Sequence, residues 1–284
     1  MERIRHALEQ AEQDRSKLQK ESPAPAPVTT DQVKPDPVET AVPSVSASKK
    51  GTSRTKVVAV DPAVLEQNRI VSALPQHELT DVYRVLRTRI LQAMNTNHWN
   101  SLAVTSPATG SGKTLTSINL AINLAREVNR TVLLADFDLR CPSIHEYFGY
   151  EPEYGLNDYL YNNVPLDEIL FTPSIDRLVI LPGRESIHNS SETLRSPKME
   201  QLVAELKSRY DDRLVLFDLP PILAVDDAIA FKPYTDSILL VAEDGGTKKE
   251  DLQKSLEILK GTPLLGTVLN KSYSALSDSS YKIK

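Results

Sequence analysis

The sequence predicts an α/β fold in which a mainly parallel sheet lies between helices. Short apolar runs at 102–104, 132–135, 178–181, 214–217, 238–241 and 264–269 alternate with stretches of helical periodicity. The runs are continuously apolar rather than alternating, as strands covered on both faces must be. A glycine-rich loop and three aspartates fall just after such runs, at the carboxyl ends of strands, where open α/β sheets bind ligands.

The N-terminal part is read differently. Residues 1–21 place Ile4, Leu8, Ala11 and Leu18 at helical spacing among charges, the pattern of a short amphipathic helix that either binds a partner or stays solvated. Residues 22–55 carry Pro23, Pro25, Pro27, Pro35, Pro37 and Pro43 without an aromatic side chain, so they predict a disordered linker. The folded domain is expected over 56–272, followed by a flexible tail over 273–284.

The domain's first long helix is expected over 79–94, with Leu79, Val82, Leu86 and Ile90 forming one apolar stripe toward the core. Asp81, Arg84 and Arg87 recur every third residue on another side, which reads either as a solvated face with a local ion pair or as an interface.

The run 102–104, the loop 105–112 and a helical pattern from Lys113 form a strand–loop–helix unit with the context of a P-loop. Gly110 and Gly112 allow positive φ, so the backbone from Thr109 through Ser111 to Leu115 can turn its N–H groups toward one anion at a helix N-terminus. Lys113 is placed to reach the β- and γ-phosphates of a nucleoside triphosphate, and the Thr114 hydroxyl to coordinate Mg2+. Pro107 stands where the motif usually has its first glycine.

Asp136 and Asp138 follow the run 132–135, and strand alternation predicts that both lie on one side of the chain. Two neighbouring carboxylates ask for a cation or donors between them. Asp218, ending the run 214–217, has the position of a Walker B metal ligand, so Thr114, Asp136 and Asp218 are the metal candidates. Together these features predict a P-loop NTPase of the deviant Walker, partition-protein-like group. The missing His-Arg-Asp loop and Asp-Phe-Gly triplet exclude a eukaryotic-type kinase.

Composition narrows the class further. The 284 residues are 40% apolar and 25% charged with a net charge of −5, which argues against general nucleic-acid affinity. The only cysteine is Cys141, so no disulfide forms within the chain and a reducing compartment is expected. No apolar run is long enough to span a bilayer, so membrane association is expected only through a partner.

The motifs resemble those of the bacterial tyrosine kinases of polysaccharide export, the BY-kinases. Their Walker A′ pattern is matched by Leu133-Leu134-Ala135-Asp136-Phe137-Asp138-Leu139-Arg140, with Pro142 and His145 beyond. The similarity continues through Gly155-Leu156-Asn157-Asp158, Leu181-Pro182-Gly183, 189–194, 217–221 and 266–270. The first fifteen residues also resemble the start of stand-alone kinases accompanying exosortase-linked exopolysaccharide systems.

The resemblance implies tyrosine autophosphorylation with ATP and Mg2+, Lys113, Asp136 and Asp138 being catalytic, Asp138 acting as base, and Arg140 contacting phosphate or pairing with the acids. It implies an oligomeric ring joined through the helix bearing Asp81, Arg84 and Arg87, with Asp81 where the family has Glu. It also implies docking on an inner-membrane polysaccharide chain-length regulator and control of polymer export. Relatives carry a C-terminal tyrosine cluster, whereas this tail offers only Tyr273 and Tyr281 as phosphoacceptors. The competing reading is a non-kinase ATPase switch or a nucleotide-dependent scaffold. Partition-type switches usually carry a lysine at the position of Ala108, and its absence favours the kinase.

Overall fold

Described residues of the computed structural model are 55–74, 77, 79–127 and 129–272. The helix expected over 1–21, the linker over 22–55 except its last residue, and the tail with Tyr273 and Tyr281 lie outside them.

In chain order the elements begin with β1 (Lys56–Val57), α1 (Pro62–Gln67), α2 (Thr80–Asn97), β2 (Ser101–Thr105), α3 (Lys113–Ala125) and β3 (Thr131–Asp136). Next come α4 (Ile144–Tyr147), α5 (Leu156–Asn162), α6 (Leu166–Ile169), β4 (Phe171–Thr172), β5 (Leu178–Leu181), α7 (Ser190–Leu194) and α8 (Pro197–Ser208). The last are β6 (Arg213–Asp218), α9 (Asp227–Phe231), β7 (Ser237–Glu243), α10 (Lys249–Ile258) and β8 (Leu264–Asn270).

Among the described residues the strands form one eight-stranded sheet in the order β1-β4-β5-β3-β6-β2-β7-β8. Each of the six apolar runs is a strand, and the pairings among these six are all parallel. The two-residue strands β1 and β4 were not foreseen, and β4 runs antiparallel to β5. Neither carries a period of its own; pairing with neighbours defines them.

Alternate strand residues feed two cores, one on each face. Ala103, Leu133, Ala135, Val215, Phe217 and Leu240 point to one; Leu102, Val104, Leu134, Leu216, Leu239 and Val241 point to the other. β2 and β6 are buried at every position, which is why their sequences show no alternation. The amphipathic α8 shows how the covering helices are delimited. Ser196 caps it by accepting the Met199 N–H at 3.2 Å, Pro197 opens it, and Met199, Leu202, Val203 and Leu206 are buried.

The stripe expected on α2 is corrected. Ile90 is buried and Leu86 half-buried, but Leu79 and Val82 are exposed, as is Val85. Met94, one turn beyond Ile90, completes the buried contact instead. Leu86, Ile90 and Met94 meet the core, whereas Leu79, Val82 and Val85 overhang it.

Candidate active site

The chain order around β2 creates the crevice. β6 and β3 lie on one side of it and β7 and β8 on the other, so β2 stands at the switch point of the sheet. The loop leaving β2 is therefore flanked by acids from β3 and β6 and by the end of β8.

That loop has the geometry of an anion cradle. Gly110 and Gly112 have φ of +83° and +88°. The positive φ favours glycine at 112, and a Cβ built there would displace the side-chain amide of Asn270. No side chain caps α3, whose first N–H groups and positive dipole end are left to a ligand. The Ser106 and Ser111 hydroxyls both donate to the Ala108 carbonyl, at 2.8 and 2.9 Å, and fix the loop from within. Asn270 Nδ2 closes it from β8 by donating to the Ser111 carbonyl at 2.9 Å.

The acids are held just as firmly. Phe137, Phe217 and Phe231 form an edge-to-face triad with centroids 4.8–5.0 Å apart in the core on one face of the sheet, Phe137 and Phe217 being chain neighbours of Asp136, Asp138 and Asp218. The Phe137 N–H donates to the Asp218 carbonyl at 2.9 Å, and the Leu219 N–H to Val104 at 2.9 Å, tying the three strand ends together. Lys113 Nζ lies 2.8 Å from Asp138 Oδ2 and 3.3 Å from Asp218 Oδ2. Thr114 Oγ1 donates to Asp218 Oδ2 at 2.6 Å and Ser117 Oγ to Asp218 Oδ1 at 2.8 Å.

The structure separates Asp136 from Asp138. The chain leaves β3 at Asp136, so strand alternation no longer governs residue 138. Asp136 is fully buried and accepts the N–H groups of Ser143 at 2.8 Å, Ile144 at 2.9 Å and Asp138 at 3.3 Å. Burial and the nearby Asp218 charge nevertheless push its carboxyl up to about 7, against the Ile144 hydrogen bond. Asp138, by contrast, lines the cavity and accepts the Cys141 N–H at 3.1 Å. Burial disfavours the Lys113 ammonium, yet Asp218 and Asp138 outweigh it and hold its pKa above the ordinary lysine value.

The cavity measures about 350 Å³ and runs from Thr109, Gly110, Gly112, Lys113 and Thr114 past Asp138 and Arg140 to Pro220, Pro221 and Val225. Ser111 and Leu115, expected to bind phosphate, are not among the residues that line it. Among the described residues no three His, Cys, Asp or Glu side chains gather into a metal-ligating group. The donor set instead suits Mg2+, which takes one or two carboxylates and completes its shell with hydroxyl, phosphate and water oxygens.

Sequence reasoning missed Ser117, Tyr147 and Asn270. Ser117 lies three residues after Thr114 on one helix face, a spacing that could have pointed to it. Tyr147 lines the cavity from α4, and Asn270 comes from the far end of the chain; neither has a local signal. On α2, Asp81 and Arg84 are exposed and pair at 2.6 Å. Arg87 points elsewhere: it contacts Glu127 at 3.2 Å and donates to the Asn123 carbonyl at 3.4 Å at the end of α3.

Comparison with known proteins adds an independent measure. The family model for the CobQ/CobB/MinD/ParA nucleotide-binding domain matches residues 102–283. The tyrosine-protein kinase YwqD of Bacillus subtilis is 34% identical over 220 residues, covering 76% of this chain and 92% of YwqD. The tyrosine-protein kinase Etk of Escherichia coli K12 is 31% identical over 198 residues, 69% of this chain but only 27% of Etk. The solved kinase domain of Etk superposes with a TM-score of 0.66 at 28% identity, covering 76% of this chain and 88% of that domain. The Mg-ADP complex of the septum site-determining protein MinD from Pyrococcus horikoshii reaches 0.51 at 25% identity, over 60% of this chain and 69% of MinD.

Proposed function

The chain belongs to the BY-kinase family of bacterial tyrosine kinases, within the CobQ/CobB/MinD/ParA nucleotide-binding fold, and from that premise we propose how its residues divide the work. The protein is a protein-tyrosine kinase that transfers the γ-phosphoryl group of ATP to a tyrosine hydroxyl. One observation carries the assignment of roles: Lys113 stands 2.8 Å from Asp138 and 3.3 Å from Asp218, beside the anion cradle of its own loop.

In this reading the backbone from Thr109 to Leu115 and the Lys113 ammonium neutralise the phosphates, the main source of rate in phosphoryl transfer. Thr114 and Asp218 would hold Mg2+, whose charge offsets that of the phosphate oxygens, while Asp136 acts on the same field from behind. A free tyrosine hydroxyl has a pKa of about 10, so it needs an acceptor for its proton. Asp138, the acid that lines the cavity, takes that role.

The wider setting follows from kinship. We propose that the kinase regulates polymerisation or export of an exopolysaccharide from the cytoplasmic side of the inner membrane, docked on a chain-length regulator. No described helix is long and apolar enough to cross a membrane. Copies would assemble through α2, where exposed Leu79, Val82 and Val85 surround the Asp81–Arg84 pair.

The test is incubation with ATP and Mg2+ followed by mapping of phosphotyrosine by mass spectrometry, beside Lys113→Ala and Asp138→Asn. Phosphate on Tyr273 or Tyr281 that disappears in both variants is the expected result. Hydrolysis of ATP without phosphotyrosine, even with the regulator's cytoplasmic segment added, would identify a switch of the MinD kind.

A further inference from the structure

One buried acid beside the cavity belongs to none of the nucleotide motifs. Asp227 opens α9 and has 0% exposure, and neither carboxylate oxygen has a hydrogen bond of good geometry; the Ser190 hydroxyl and the Arg140 guanidinium are the donors that face it. Its ionic partner is Arg140 Nη2 at 3.5 Å. A fully buried carboxylate is costly unless a cation answers it, so this arrangement ties the position of Arg140 to Asp227.

The surroundings restrain both groups. Arg140 Nε donates to Ser190 Oγ at 2.9 Å, giving the guanidinium a second anchor. Ser191 Oγ donates to Asp226 Oδ2 at 2.7 Å, stitching α7 to the residue before α9. At the other end of α9, Phe231 packs into the triad with Phe137 and Phe217. The helix that carries Asp227 thus shares its support with the strand ends that carry the acids. Arg140, 42% exposed at its side chain, keeps its free face toward the cavity.

Topology says which part of the cavity this is. Asn270 closes the P-loop from the β8 side, whereas Asp138 and Asp218 lie on the β3 and β6 side. A triphosphate in the cradle directs its terminal phosphoryl toward the acids. Arg140, Pro221 and Val225 lie on that same flank, where an acceptor must approach.

We propose that Asp227 is a positioning residue that holds the Arg140 guanidinium on the acceptor side of the cavity, against the charge of the phosphoryl group in transfer. The inference rests on the kinase reading above. In the step concerned, the acceptor oxygen bonds to the γ-phosphorus as the bond to the β–γ bridging oxygen breaks. The bridging oxygen leaves on ADP with the electron pair, and the acceptor's proton passes to Asp138. Arg140 offers fixed N–H donors to the equatorial oxygens throughout.

A double-mutant cycle tests this on the full chain: Asp227→Asn, Arg140→Ala and both together, reading single-turnover ADP formation, ATP affinity and folding by circular dichroism. Asp227→Asn should slow ADP formation by about 10²-fold, the cost of a misplaced group, with a much smaller change in ATP affinity. The double variant should be no slower than Arg140→Ala alone. Labelling of Arg140 by phenylglyoxal, mapped by mass spectrometry, needs no turnover and should rise several-fold in Asp227→Asn.

A folded Asp227→Asn protein with wild-type rate and labelling would overturn the proposal, as would a double variant whose loss equals the product of the single losses. If Asp227→Asn does not fold, Asp227→Glu takes its place: a longer side chain displaces the guanidinium, so faster labelling of Arg140 with slower turnover supports the positioning, and wild-type labelling and turnover reject it. Should the wild type form ADP but no phosphotyrosine, the kinase reading fails, while the cycle still reports, through hydrolysis, whether Asp227 positions Arg140.

Discussion

At the amino end of β2, Asp236 accepts hydrogen bonds from the N–H groups of Asn100 and Ser101 at 3.0 Å, from Ser101 Oγ at 2.8 Å and from Lys207 at 2.7 Å. At the carboxyl end of the same strand, Asp136, Asp138 and Asp218 crowd together and share essentially one ammonium group, that of Lys113. Burial opposes ionisation of Asp236, but Lys207, the Asn100 N–H and Ser101 outweigh it and keep its carboxyl below the ordinary value of 3.8. Burial and a neighbouring carboxylate instead raise Asp136 to about 7. One end surrounds a single acid with donors and so fastens the sheet. The other gathers like charges at a cost that a cation and phosphates can offset, which is the mark of a binding site.

The sharpest way to break the contrast is to remove the shared cation. Lys113→Ala should lower phosphotransfer by about 10³-fold, as loss of a preorganised charge donor does, measured as phosphotyrosine formed per minute. Asp236→Asn should do the reverse: cost about 1–3 kcal/mol of unfolding free energy in urea titration while leaving the turnover of folded protein unchanged. Equal effects of the two substitutions on activity would erase the distinction between the ends.

Gly112→Ala probes the loop between them. An L-residue at φ +88° is strained, and its Cβ would displace Asn270. Weakening of ATP binding by about tenfold is expected from a strain of 1–2 kcal/mol, and calorimetry would measure it.

The smallest effects are in pH. Asp236, with its folded pKa depressed, contributes stability that is present above about pH 4 and lost as pH falls through its folded value. For Asp136 the sign reverses. Between the ordinary value of 3.8 and about 7 the folded state holds a proton that the unfolded state has released, so stability falls as pH rises through that window and then levels. Thermal unfolding of nucleotide-free protein should show this decline, and Asp136→Asn should flatten it.

The contrast also marks what a sequence makes legible. The interior strands could be read because each is buried on both faces and so continuously apolar, and the phosphate loop because its glycines, Lys113 and Thr114 are contiguous. β1 and β4 could not, since two residues carry no period. The stripe on α2 misled because periodicity reports a face, not how far the core extends beneath it: Leu79 and Val82 keep the spacing but overhang. In the site, Asp136 and Asp138 looked equivalent until the end of β3 turned one toward the 143–144 backbone and the other toward the cavity. Asn270, Ser190 and Asp227 come from elements far along the chain, Asn270 meeting the loop at Ser111 and the other two meeting Arg140. No local pattern encodes such a meeting.

The claim that the acids await a cation-bridged triphosphate is tested most directly by calorimetric titration of ATP into the protein with and without Mg2+. Tight binding that depends on Mg2+ and is lost in Asp218→Asn is the expected result. ATP binding of equal strength with and without the metal, or unchanged by Asp218→Asn, would contradict the account.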